Sequence, residues 1–135
     1  MLKLTHGDAT AMYYDSSAFD LVMESTLFIQ LTDDSVSHDI AKEMVRVVKP
    51  GGYIMLIDWR YSFGRAGYAA LSARRIARLF GVGSQTSIVC QRRGALIPVL
   101  GRFLSQYLPS VYFPVSRVLP FLVGQVTVVL RKNQG

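Results

Sequence analysis

The chain has 135 residues, half of them apolar, which supports one domain with a packed core and excludes a disordered tract. Its single cysteine, Cys90, excludes an internal disulfide, and one Cys with two His gives no metal site; a cytoplasmic, reducing setting fits. All nine acids lie in residues 1–58 beside four cations, whereas residues 59–135 hold eleven cations and no acid, so the second half is expected to face an anionic partner.

Residues 1–5 read as the end of a short strand, without the apolar run of a signal peptide, and His6-Gly7-Asp8-Ala9 follows as a loop. Residues 19–23, Phe-Asp-Leu-Val-Met, read as a short buried strand. Thr32-Asp33-Asp34-Ser35 then offers helix-capping oxygens. Beyond it Val36, Ile40, Met44, Val47 and Val48 recur at spacings of three and four, which predicts an amphipathic helix with Asp39, Lys42, Glu43, Arg46 and Lys49 on its other faces. Pro50-Gly51-Gly52 ends it. Residues 53–57 are apolar without alternation, the mark of a strand covered on both faces, and they lead into Asp58-Trp59-Arg60-Tyr61. Strand, helix and strand in this order predict a right-handed βαβ unit.

Downstream, residues 71–80 predict a helix with Arg74, Arg75 and Arg78 on a basic face. Residues 86–90 predict a strand, 95–108 a helix, and 124–130 a β-branched strand ending in Arg131-Lys132. Residues 107–122 are aromatic and broken by Pro109, Pro114 and Pro120, so no membrane-spanning helix is expected there. The whole is expected to be one domain, with 92–122 as a helical, aromatic-rich insertion. That insertion reads either as a segment packed on the sheet or as a platform for a lipid-like acceptor or a membrane surface.

Three pieces occur in a recognisable order: Gly7-Asp8-Ala9, Phe19-Asp20-Leu21-Val22, and Glu43-Met44-Val45-Arg46-Val47-Val48-Lys49-Pro50-Gly51-Gly52 running into an apolar strand. Together they resemble the class I S-adenosylmethionine-dependent methyltransferase superfamily, especially its ubiquinone and menaquinone biosynthesis branch, over roughly residues 5–58. The resemblance implies an α/β fold: an incomplete Rossmann-like sheet, mostly parallel with an antiparallel last strand, and helices on both faces. The match begins after the family's glycine-rich cofactor loop, so the chain is expected to carry only the C-terminal part of that fold and to bind cofactor poorly alone.

By the same resemblance Asp8 accepts from the adenine amino group, the Ala9 N–H meets an adenine ring nitrogen, and Glu24 and Ser25 line the methionine part of S-adenosylmethionine. Asp58, Trp59, Arg60 and Tyr61 leave the carboxyl end of a strand, where open parallel sheets bind ligands, and are candidates for the substrate side. No single residue among them stands out as catalytic, and His6 and His38 read as solvated. The function implied is methyl transfer to a small molecule, phosphorylated or lipid-like. The alternative is a non-catalytic, degenerate methyltransferase-fold module that binds or regulates another chain, or a second copy, through an open sheet edge. Nucleic acid is disfavoured, because the arginines fall in no recognised RNA-binding motif.

Overall fold

The computed structural model describes residues 4–62, 64 and 66–134. Its elements are β1 (Phe19–Ser25), a 3-10 turn (Phe28–Gln30), α1 (Asp34–Val47), β2 (Val48–Trp59), α2 (Ala73–Phe80), β3 (Thr86–Arg93), α3 (Pro98–Tyr107), α4 (Pro109–Val118), a second 3-10 turn (Pro120–Leu122) and β4 (Gln125–Lys132). Leu4 and Thr5 are in no strand, and residues 1–3 of the strand expected there lie outside the described residues.

Local signals set most boundaries. Asp33 caps α1 by accepting from the Ser35 N–H at 2.8 Å, and Asp34 sits in the first turn where the helix dipole favours an acid. At the other end the Lys132 ammonium donates to the carbonyls of Val45 and Val48, at 2.7 and 2.8 Å, so the last strand closes the C-terminus of α1. Ser72 caps α2, and Gly81 ends it in the left-handed region at φ +57°.

The sheet order is β1-β2-β4-β3. The β1–β2 pair is parallel, and β4 runs antiparallel to both β2 and β3. Three strands therefore run one way and only the last in sequence is reversed, which agrees with the fold the motifs imply. Ile54 and Leu56 of β2 and Val126, Val128 and Leu130 of β4 face α1 and α2, closing a core with Ile40, Met44, Ile76 and Phe80. Phe28 completes it, edge-on to Phe80 at 5.6 Å. α1 and α2 pack against the same side of the sheet. On the other side Leu21, Met23 and Tyr53 are exposed, and among the described residues β1 pairs with β2 alone. α3 and α4 build a separate small core of Leu96, Leu104 and Val123 beyond the carboxyl end of β2.

The Pro-Gly-Gly turn is tight. Register jumps between Phe19↔Val48 and Leu21↔Tyr53, so Lys49 to Gly52 bulge out before regular pairing starts. A Cβ on Gly52 would lie 2.9 Å from the Asp20 carbonyl and 3.0 Å from that of Lys49, both backbone atoms that cannot swing aside. Gly52→Ala is therefore expected to cost about 2 kcal/mol through forced displacement of β1 from β2. A urea midpoint equal to that of the unmodified chain would show that the bulge gives way freely.

α4 lies within residues 92–122, the stretch expected to be helical and rich in aromatics, and its prolines, which argue against a membrane-spanning helix, are accommodated by their positions. Pro109 occupies its first turn, where the missing N–H and fixed φ are harmless. Pro114 does remove one internal hydrogen bond, and α4 has no buried residue to compensate.

Candidate functional site

Two cavities hold four of the eight residues singled out from sequence, Asp8 and Ala9 in one and Trp59 and Tyr61 in the other. The first, about 210 Å³, is lined by Asp8, Ala9, Met12, Tyr13 and Tyr14. Asp8 Oδ1 accepts from both the N–H and the hydroxyl of Thr10, at 2.8 and 2.7 Å. Those bonds hold its carboxyl below the usual range, with Thr10's hydroxyl the larger cause. Asp8 is thus an ionised acceptor on an aromatic-walled hollow, with Oδ2 uncommitted among the described residues. That donor set suits a flat heteroaromatic ring carrying an exocyclic amine.

The loop that carries Asp8 is fastened by the helix motif. Arg46 donates to the carbonyls of Met12 and Tyr14, at 3.0 and 2.8 Å, and pairs with Glu43 at 2.7 Å. Glu43 in turn accepts from the Met12 N–H at 2.8 Å. The sequence places Glu43 and Arg46 on solvated faces of the helix; in the fold they are the anchor between the Glu-Met-Val-Arg segment and the Gly-Asp-Ala loop. Only their recurrence beside that triplet could have pointed to this.

The second cavity, about 180 Å³ and mostly apolar, lies at the carboxyl ends of β1 and β2. Thr26, Ile29, Trp59, Tyr61, Tyr68 and Pro98 line it. Trp59 and Tyr61 thus lie on the side where a substrate candidate belongs. Arg60 stacks over the Tyr61 ring at 4.7 Å and donates to the Pro120 carbonyl, and the Tyr61 hydroxyl donates to that of Phe121. These two residues tie the end of β2 to the connection before β4. Thr26 holds a left-handed backbone at φ +57°, uncommon for a β-branched residue and characteristic of functional rims. No sequence signal marks it.

Asp58 and Glu24 point the other way, into the protein. Asp58 is fully buried and accepts from the N–H groups of Ile29 and Trp59, at 2.9 and 2.7 Å. Glu24 accepts from Leu27 N–H at 3.1 Å, and its other oxygen is buried without a partner. The two carboxyls fix the turn at 28–30. Burial pushes both up, Glu24 to about 7, with the nearby Asp58 charge adding to that rise. Glu24 and Ser25 line neither cavity, and Ser25 is exposed. The Asp8 and Trp59 cavities are separate, so Asp8 and Ala9 are brought together, as are Trp59 and Tyr61, but the two groups do not share one pocket.

Arg75 corrects the basic face expected on α2. It is buried, and its guanidinium donates to the carbonyls of Phe28, Ala69 and Leu31 and to the Ser37 hydroxyl, all at 2.8–3.0 Å.

Comparison with known proteins places this arrangement. Residues 1–56 match the methyltransferase domain family. Over 57 residues, 42% of this chain and 17% of the relative, the chain is 37% identical to 2-methyl-6-phytyl-1,4-hydroquinone methyltransferase of Synechocystis. A solved SAM-dependent methyltransferase from Methanosarcina mazei matches at TM-score 0.65 with 15% identity, over 96% of this chain and 66% of that one. The chain shares the fold of that SAM-dependent methyltransferase. Geranyl diphosphate C-methyltransferase from Streptomyces coelicolor A3(2), solved with geranyl diphosphate and S-adenosyl-L-homocysteine, matches at TM-score 0.56 and 12% identity, over 94% of this chain and 50% of that one. The methyltransferase-like chain thus spans 17% of its curated relative and at most two thirds of these solved structures.

Proposed function

We propose that this chain supplies the adenine-side loop and part of the acceptor side of an S-adenosylmethionine-dependent methyltransferase acting in the cytoplasm on a small, largely apolar molecule. The cavity of Asp8, Ala9, Tyr13 and Tyr14 carries the reading, because it offers an ionised acceptor among aromatic walls in the segment that matches the family. Asp8 would accept from the adenine amine through its free oxygen, the Ala9 N–H would donate to a ring nitrogen, and the tyrosines would cover the ring. The bound cofactor supplies a sulfonium methyl whose positive charge already activates the leaving group. What remains for the protein is to position the acceptor and exclude water, a role that suits Trp59, Tyr61 and Ile29. The phytyl hydroquinone acted on by the Synechocystis relative fits an apolar wall of that kind.

Saturation-transfer NMR with S-adenosylhomocysteine tests the adenine site. Saturation is expected at the adenine ring protons in the unmodified chain and to be lost in Asp8→Ala; equal transfer in both removes the assignment. The chain alone is expected to bind weakly, since its two cavities are not joined, and a submicromolar calorimetric constant would contradict that.

A non-catalytic pairing role is supported by a different observation, the free edge of β1 with Leu21 and Met23 exposed beside it. Light scattering at rising concentration is expected to show self-association through that edge, which Met23→Lys disrupts. A monomer throughout would remove self-pairing.

A further inference from the structure

The α3–α4 hairpin is turned inside out for a water-exposed element. Leu100, Leu104, Tyr112 and Val115 fill its small core. Yet Val99, Phe103, Phe113 and Val118 are 83%, 54%, 73% and 76% exposed, and Tyr107 and Val111 are exposed as well. Isolated apolar residues on a surface need no explanation, but six large exposed ones on two consecutive ten-residue helices are a concentration of the kind that marks an interaction surface.

Charge narrows the partner. The hairpin's own charged residues are Arg102 and Arg117, both exposed, with no ion pair or hydrogen bond to either guanidinium among the described residues. Arg92 and Arg93, on the strand that feeds the hairpin, are in the same state, and no acid follows Asp58 in the sequence. Three other cations of this half are spent internally: Arg75 on carbonyls, Arg78 on Asp34, and Lys132 on the end of α1. A second copy meeting the patch face to face would bring like charges together without an acid to offset them. Each helix is about 15 Å long, far short of a bilayer's apolar core, and no helix among the described residues can cross a membrane. We infer that the α3–α4 hairpin lies on an anionic lipid surface, its outward apolar side chains entering the headgroup boundary and its arginines meeting lipid phosphates. Pro98, the first residue of α3, also lines the apolar cavity beside Trp59, so the docked surface would adjoin the acceptor side. The inference stands apart from methyl transfer, as it uses none of the residues assigned to the cofactor.

Co-sedimentation of the full chain with phosphatidylcholine vesicles, with and without phosphatidylglycerol, is the test. Binding to the phosphatidylglycerol vesicles is expected, weakening as salt rises. The triple substitution Phe103→Ser, Phe113→Ser, Val118→Ser is expected to lower partition at least about tenfold, with circular dichroism unchanged, because each side chain withdrawn from water contributes a large share. Arg102→Gln with Arg117→Gln is expected to abolish the preference for phosphatidylglycerol while retaining the fold. No partition at low salt, or partition that ignores both sets of substitutions, overturns the proposal. So does a concentration-dependent dimer that the triple substitution dissolves, since a second copy would then occupy the face.

Discussion

Arg75→Ala is expected to destabilise the chain by roughly 3–5 kcal/mol, a large share of the ~5–15 kcal/mol that holds a domain of this kind together. The reason is what the guanidinium joins. Its donors reach the carbonyls of Phe28, Leu31 and Ala69 and the Ser37 hydroxyl, which belong to the first 3-10 turn, the approach to α1, the loop before α2, and α1 itself. All of these are polar groups at or near the core, so truncation leaves the Leu31 carbonyl and the Ser37 hydroxyl without the guanidinium, and the Phe28 carbonyl with the Leu31 N–H alone among the described residues. The cationic charge also lies close enough to Asp58 to hold that carboxyl down against its burial, and losing it would make the ionised acid costlier still. Arg75→Met separates volume from bonding: it fills most of the space and satisfies none of the acceptors, so it is expected to be nearly as damaging. Arg75→Lys restores charge but not the planar fork, and should recover only part of the loss. Urea denaturation measures all three. A loss below about 1 kcal/mol in the alanine variant would mean that these acceptors find other donors.

Glu24 gives the second large effect, and its sign is opposite to that of most carboxylates. With a carboxyl pushed to about 7 from an ordinary 4.5, the folded chain keeps a proton that the unfolded chain releases. Below about pH 4.5 both states are protonated and nothing is lost. Between 4.5 and 7 only the unfolded state deprotonates, so stability falls as pH rises, by roughly 3 kcal/mol in all. Above about 7 both are ionised and the deficit stays constant. Asp58, raised by the same burial, adds to the trend. Glu24→Gln keeps an oxygen for the Leu27 N–H and has no charge to desolvate. It is expected to gain about 2 kcal/mol at pH 8, change little at pH 4.5, and flatten the intervening slope. Thermal melts across that range are the measurement; parallel curves for the two proteins would show that Glu24 finds solvent when it ionises.

Motif and periodicity made the first half of the fold legible. The stripe Val36, Ile40, Met44 and Val47 placed α1, and the unbroken run at 53–57 placed β2, because both patterns are imposed directly by burial. The strand directions also agree with those implied by the resemblance. What could not be read was cross-chain use of polar side chains. Arg75 looks like any surface arginine on a helix until the 3-10 turn at 28–30 folds over it, and Arg46 looks solvated until the loop at 12–16 arrives. Asp58 was visible as a strand-end acid, but whether such an acid turns to a cavity or to backbone N–H groups depends on which loop is nearest. The bounds of α4 within the helical stretch expected at 92–122 escaped for a similar reason: proline at the first turn and proline in mid-helix look alike in composition and differ only by position.

The placement of β4 also bears on how the protein is made. Residues 125–132 form the strand that separates β2 from β3. A chain emerging from the ribosome therefore carries β2 with an unfilled edge, and β3 with no partner strand among the described residues, until residues 125–132 are released. The end of α1 waits too, since Lys132 is what satisfies its last carbonyls. Nascent-chain capture by chaperones should thus persist until residues 125–132 have emerged, and a premature stop shortly before residue 125 should yield an aggregating product rather than a smaller folded one.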